Sequence, residues 1–256
     1  MLKTAIVIGA ASGIGKGLAN AMHNLDIKVI YADISYPINN QDNAVWHVDA
    51  TEENSIKALT NNLREDSVTL DYLMITLGAI DEGQVSDYPE KNLSWMLDVN
   101  LLAPYRLIQH FLPFLKNSKS PKILLTGSAA GLGFFEDTYG LMPYIVSKHA
   151  LMGYFKALHH ELSKDGIGIS LFLPNRIKGR LNENSALMRE TFLKENNILI
   201  KGAQQANIEL TDPHEIAAEV VEKFLAGKTY ISNNPQMMID KLERELTKMR
   251  KDLFDE

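Results

Sequence analysis

The stretch TAIVIGAASGIG, residues 4–15, runs from a short apolar segment into a turn carrying glycines at positions 9, 13 and 15. Its first residues are apolar almost throughout instead of at every second position. A strand with one wet face alternates, so this one is expected to be covered on both faces, as strands of a parallel sheet are. The glycines let a backbone approach a pyrophosphate closely, and a helix beginning there offers free N–H groups and the positive end of its dipole. The pattern is G-x-x-x-G-x-G, and on its own it fits a tight strand-to-helix connection as well as a phosphate turn.

Further runs of the same kind follow: KVIYAD at 28–33, AVWHVD at 44–49, YLMIT at 72–76, KILLTG at 122–127 and GISLFLP at 168–174. The segments between them are long enough for crossover helices. Strands alternating with helices predict a single-domain α/β fold of the Rossmann type, a doubly wound parallel sheet with helices on both faces. No Pro/Gly/Ser-rich linker, repeat or low-complexity tract divides the chain. The expected organisation is a dinucleotide-binding and catalytic domain over 1–235 and an amphipathic helical extension over 236–256. Within the domain, the polar insertion 175–212 reads as a substrate loop or lid, the alternative being a solvated excursion. The extension places Ile239, Leu242, Leu246, Met249 and Leu253 at 3-4-3-4 spacing, a seam of coiled-coil type suited to its own domain or to a partner subunit.

Composition limits the function. The chain has 256 residues, 45% of them apolar and 23% charged, with a formal charge of -6 and no cysteine. An acidic chain without a basic block is a poor partner for nucleic acid or an anionic membrane. Disulfides, thiolate nucleophiles and Cys-based metal sites are excluded. The N-terminal apolar run is too short for a leader or a membrane span, so a cytoplasmic protein is expected. His159, His160 and Glu161 lack a metal-binding spacing and no metal site is expected.

Asp33 ends the second run about 20 residues after Gly13, where a carboxylate can accept both hydroxyls of an adenosine ribose. It would repel a 2'-phosphate, and neither Ser12 nor Ile34 supplies a cation to hold one. NAD is therefore expected over NADP, although an aspartate at a strand end is also a common turn residue. In PYIVSKHALMGYF, residues 143–155, Tyr144 and Lys148 stand one helical turn apart. With nine tyrosines and 19 lysines, about one such pair is expected by chance, so the pair gains meaning only from its surroundings.

Those surroundings resemble the short-chain dehydrogenase/reductases over about residues 3–232. The resemblance rests on GAASGIG at 9–15, Asp49 and Ala50, Asn100 in LDVN, Ser128 in LLTGSAAG, and Tyr144 with Lys148 in YIVSK, in that order. It implies an NAD-dependent oxidoreductase that interconverts a secondary alcohol and a ketone. Tyr144 would exchange the proton, and Lys148 would lower the phenol's pKa and hold the nicotinamide ribose. Ser128 would position the substrate oxygen, and Asn100 would keep a helix locally open and hold a water. The dinucleotide would lie against Gly9, Ser12, Gly13, Ile14, Gly15, Asp33, Asp49, Ala50, Gly78, Tyr144, Lys148, Pro174 and Ile177. Taken without the family order, Ser128 is a turn cap and Asn100 an ordinary helix residue. The resemblance also implies a homo-oligomer, a tetramer or dimer, joined by helices such as the one carrying Tyr144.

Three departures bear on function. TLGA at 76–79 replaces a more usual N-N-A-G, the segment between Ser128 and Tyr144 is lengthened by FFEDTYGLM, and PNRIKG at 174–179 replaces P-G followed by a nicotinamide-holding threonine. Asn175 is expected to take the left-handed turn in place of glycine, while Gly179 has no hydroxyl for the carboxamide. The alternative reading is a retired member that binds dinucleotide as a sensor or scaffold. A ketoreductase acting on carrier-protein substrates is weaker, because it would want NADPH and a basic docking patch.

Overall fold

A computed structural model describes residues 2–37, 44–133, 140–194 and 210–254. Seven parallel strands form one sheet in the order β3-β2-β1-β4-β5-β6-β7. They are β1 Thr4–Ile8, β2 Lys28–Asp33, β3 Val45–His47, β4 Tyr72–Ile75, β5 Lys122–Thr126, β6 Gly168–Phe172 and β7 Tyr230–Ile231. Six of them lie within the apolar runs and are equal to them or shorter by up to three residues. The two-residue β7, with Tyr230 exposed, carries no run of its own.

Alternate residues of each strand feed opposite layers. Ile6 and Ile8 of β1 and Leu73 and Ile75 of β4 pack on one side with α2 Glu53–Glu65, α4 Ala103–Leu115 and α5 Met142–Lys164. Ala5, Val7, Tyr72 and Met74 face the other side, against α1 Gly13–His23 and α7 Pro213–Leu225. Both faces are thus dry, which accounts for the unbroken apolar runs. A side chain at Gly17 would meet the Pro213 carbonyl at 2.9 Å, so its absence lets α1 and α7 approach.

The strand order reverses beside β1, which pairs with β2 on one edge and β4 on the other. In such sheets the crevice at the carboxyl ends of the strands is the binding place. The remaining helices among the described residues are α3 Glu90–Leu97, α6 Leu181–Met188 and α8 Pro235–Phe254. No helix among the described residues is long and apolar enough to cross a membrane.

Candidate active site

The turn from β1 into α1 is held by contacts only glycine permits. Gly9 has φ +91°, and a Cβ there would lie 2.7 Å from the Thr76 hydroxyl; one on Gly15 would collide with the Gly9 carbonyl. Gly13, by contrast, faces open space, its nearest neighbour being Gly179 Cα at 4.0 Å from a Cβ position. Two glycines close the turn and the third leaves room in front of it. Ser12 precedes α1 without a capping bond from its side chain. The first N–H groups of α1, at Gly13, Ile14 and Gly15, precede the start of the helical ladder. Ile14 itself packs partly against the α1–α7 layer.

Asp33 is nearly buried and already accepts two backbone bonds, from Ala11 N–H at 3.0 Å and Ser35 N–H at 2.8 Å. It therefore fixes the glycine turn, the bland role weighed above, while each oxygen keeps a second lone pair. Asp49 likewise accepts from the Thr51 N–H at 2.9 Å and the Thr51 hydroxyl at 2.6 Å. Ala50 is buried in the main core layer.

On the far side of β1, Thr76, which stands in TLGA in place of the more usual N-N-A-G, donates to the Ile8 carbonyl at 2.7 Å and ties the ends of β4 and β1 together. Asn100 lies in a π-helical turn, Asp98–Leu102, between α3 and α4, where the helix is wound more widely than its neighbours. Its amide clips the next loop: Oδ1 accepts from Ala79 N–H at 2.8 Å, and Nδ2 donates to the Ala79 carbonyl at 2.8 Å and to Ser147 Oγ at 2.9 Å. Both amide donors are thereby used, so the side chain does not donate to a water. Ser147, absent from the sequence reading, passes the connection on by donating to the Tyr144 carbonyl at 2.7 Å.

Tyr144 and Lys148 stand on α5, which starts with Pro143 in its first turn, and both are buried. The Lys148 ammonium lies 5.7 Å from the Tyr144 ring centre and donates to the Thr126 carbonyl at 3.4 Å. Ser128 caps the short turn Ala129–Gly131, accepting from Ala130 N–H at 3.1 Å, and its side chain also hydrogen-bonds Tyr144. A Cβ on Gly78 would sit 3.2 Å from Asn100 Oδ1 and 3.4 Å from Lys148 Nζ, so this glycine keeps the space before both open. Burial raises the Tyr144 phenol above its ordinary pKa, partly offset by the Ser128 bond, and lowers Lys148 to about 8.

The segment after β6 departs from expectation in two respects. The left-handed residue is Arg176, φ 51°, one position beyond Asn175, whose N–H and carbonyl are instead both bound by the Asn233 amide at 2.9 Å. The 175–212 segment also contains α6 and a further π-helical turn, Arg189–Leu193, where a loop was expected. Its base is closed by a bridge between Ile177 and Thr211, supported by Lys178 N–H to Thr211 O at 2.8 Å and Thr211 N–H to Arg176 O at 3.0 Å. Its helix is latched beside the site: Ser185 Oγ accepts from Ile80 N–H at 2.9 Å, and Arg189 pairs with Asp81 at 2.7 Å, nearly buried. Met188 and Leu193 pack on the apolar group formed by Ala79, Ile80, Trp95, Met96, Val99, Ala130 and Tyr144. The 195–209 part of this segment, and residues 134–139 of the lengthened one, lie outside the described residues.

Sequence-predicted residues thus fall into two adjoining groups. Asn100, Ser128, Tyr144, Lys148 and Gly78 form one; Gly9, Ser12, Gly13, Ile14, Gly15 and Asp33 form the other, with Pro174 to Gly179 reaching toward it through Gly179. Pro174 itself accepts a bond from Ala129 N–H at 3.3 Å, next to Ser128.

A family model described as short chain dehydrogenase matches residues 3–190. The chain belongs to the short-chain dehydrogenase family, a family of oxidoreductases that bind nicotinamide dinucleotides. Among its relatives are a tropinone reductase homologue of Arabidopsis thaliana, 27% identical over 90% of this chain and 89% of the relative, and (+)-borneol dehydrogenase 1 of Salvia officinalis, 28% identical over 67% of this chain and 68% of the relative. The fold matches a short-chain dehydrogenase/reductase from Burkholderia phymatum solved in complex with NAD, with a TM-score of 0.77 and 19% identity over 97% of this chain and 95% of that one.

Proposed function

We propose that the protein is an NAD-dependent oxidoreductase interconverting a secondary alcohol and a ketone, with residues 1–235 as the dinucleotide-binding and catalytic unit and 175–212 as its substrate segment. The observation that carries this reading is the joined cluster of Ser128, Tyr144, Lys148 and Asn100 at the strand ends, next to a glycine turn with open space before Gly13. The open space at Gly13 and Gly78, and an Asp33 carboxylate with lone pairs to spare, fit a dinucleotide laid across the switch point. Both (+)-borneol dehydrogenase and the tropinone reductase homologue carry names from alcohol and ketone chemistry, which supports the same reaction class.

When bound, the nicotinamide takes or gives the hydride. The chain's residues handle the proton. Tyr144 gives it to the carbonyl oxygen in reduction and, as phenolate, takes it from the hydroxyl in oxidation. Ser128 bonds the same oxygen. Lys148 stabilises phenolate and would hold the nicotinamide ribose through its hydroxyls. Any water held at Asn100 would donate to its backbone carbonyl or to the remaining lone pair of Oδ1, because both amide donors are used. Burial by itself keeps the phenol protonated at neutral pH, so forming phenolate depends on Lys148 together with the positive charge of oxidised nicotinamide.

Calorimetric titration with NAD, NADH, NADP and NADPH, followed by a panel of secondary alcohols and ketones read by nicotinamide absorbance, tests the reading. NAD or NADH should bind much more tightly than its phosphorylated counterpart. Absence of all dinucleotide binding would remove the oxidoreductase reading, and binding without turnover on any substrate would favour a retired sensor. Asp33→Asn, which keeps one acceptor and removes the charge, is expected to narrow the NAD-over-NADP ratio by about tenfold, ~1.4 kcal/mol. An unchanged ratio would show that Asp33 serves the turn alone. At Gly179 nothing lies within 4 Å of a Cβ position and φ is not in the left-handed range, so Gly179→Thr is expected to fold normally. The new hydroxyl should tighten nicotinamide binding several-fold, seen as a lower KM for the dinucleotide. A weaker KM would mean that the segment holds the carboxamide differently.

We also propose a homo-oligomer. Leu102 and Tyr105 by α4 and Val146 on α5 are exposed apolar residues of a kind usually covered at an interface. Light scattering that gave a monomer mass at micromolar concentration would end that expectation.

A further inference from the structure

Among the described residues, helix α8 packs on its own domain only at its start, where Met238 is buried and Met237 partly so. Beyond this turn Ile239, Leu242, Leu246, Met249 and Leu253 are 42 to 71% exposed, a stripe about 21 Å long at 1.5 Å per residue. The seam visible in the sequence is therefore not covered by the described residues of the domain that carries it. Its spacing assigns Ile239, Leu246 and Leu253 to a positions of a heptad and Leu242 and Met249 to d positions, with no polar residue interrupting the row. The flanking e and g positions are Glu243, Arg250, Glu245 and Asp252.

We propose that α8 pairs with α8 of a second copy of this chain as a parallel two-stranded coiled coil. The charges select this occupant and this direction. In a parallel pair, g of one helix faces e of the next heptad on the other, which sets Glu245 against Arg250 on both sides of the seam with no like-charge contact. In an antiparallel pair, e faces e and g faces g. The gain of Glu243 opposite Arg250 is then opposed by Glu245 opposite Asp252, acid against acid. A membrane surface is a poorer occupant, since the helix carries five cations and four anions over 235–254, mixed in sign around its polar side, where an interfacial helix concentrates cations. The pairing extends the homo-oligomer reading to a contact separate from α4 and α5, and it does not depend on dinucleotide chemistry.

The absence of cysteine gives a clean test. Leu253→Cys should cross-link to its counterpart under mild oxidation, because parallel a positions are adjacent across the seam. Lys251→Cys, facing away at an f position, should not. In sedimentation velocity, Leu246→Asp should halve the assembly mass, from dimer to monomer or from tetramer to dimer, while thermal stability of the domain stays near wild type because Leu246 is half exposed. A wild-type monomer sinks both this pairing and the homo-oligomer reading. A wild-type oligomer whose mass is unchanged by Leu246→Asp overturns the α8 pairing alone. Loss of mass without cross-linking at position 253 overturns the parallel arrangement, and binding of wild type, but not Leu246→Asp, to anionic phosphatidylserine vesicles at unchanged mass assigns the face to a membrane instead.

Discussion

Tyr144→Phe is expected to lower turnover by about 10²- to 10⁴-fold, the usual range for a group that exchanges a proton in the transition state. The substitution removes one oxygen and leaves the ring in its place, so the contacts with Ala79, Trp95 and Ala130 in the apolar cluster persist. Ser128 keeps its bond from Ala130 N–H, and the Asn100–Ser147 link ends on the backbone of residue 144, which the variant retains. Dinucleotide affinity should therefore stay within a few-fold of wild type in the same calorimetric titration. Two separate readouts make the result diagnostic. Turnover within tenfold of wild type would mean another group moves the proton, and a parallel collapse of dinucleotide affinity would mean that Tyr144 organises the cofactor side instead.

The second prediction sets function against stability. Burial lowers Lys148 from 10.5 to about 8, a difference worth roughly 3 kcal/mol between charged and neutral forms. A lysine whose folded pKa lies below its unfolded one binds fewer protons in the folded state between those two values. Its share of stability is therefore greatest above pH 10.5 and falls away as pH drops through 8, leaving the full burden of a buried ammonium at neutral pH. Lys148→Met removes this burden and gives up a long bond to the Thr126 carbonyl, 3.4 Å, and the distant approach of the ammonium to the Tyr144 ring. We expect the variant to be inactive at pH 7 yet to melt roughly 5 to 10 °C higher. That gain should shrink as pH is raised from 8 toward 10.5. A variant that melts lower, or whose gain does not depend on pH, would show that the ammonium is stabilised by its surroundings in the folded state.

The sheet was legible because its strands are dry on both faces, and that condition writes itself as continuous apolar runs. β7 escaped because two residues, one of them exposed, leave no run to read. α6 escaped for a related reason: LNENSALM buries only Ser185 and Ala186, and a helix covered over so little of its surface shows no apolar period. At the site, the order of motifs brought Asn100, Ser128, Tyr144 and Lys148 to notice, and the structure draws them into one cluster. What tethers that cluster was not legible. Thr76, Ser147 and Ser185 act through single hydroxyls whose tethering partners, apart from the local bonds of Ser147 to Tyr144 and of Ser185 to Leu181, lie tens of residues away or more. Asp81 and Arg189 are separated by more than a hundred positions and carry no spacing signal at all. The left-handed turn moved from Asn175 to Arg176 because Asn233, after β7, captures both backbone groups of Asn175. The residues just after a strand that could not be anticipated thus supply the clamp.

The bridge between Ile177 and Thr211 has an evolutionary consequence. With Ile177 and Thr211 already joined, the described residues that follow the bridge, α6 and the turn after it, are tied to the domain at a few points, through Ile80 and Asp81, and add no strand to the sheet. Loop closure costs only about 0.6 kcal/mol for each doubling of length. If 175–212 is the substrate segment proposed above, it is an exchangeable cassette: insertions and deletions inside it would change which substrate is accepted while the sheet, the glycine turn and the tyrosine–lysine helix are inherited unchanged.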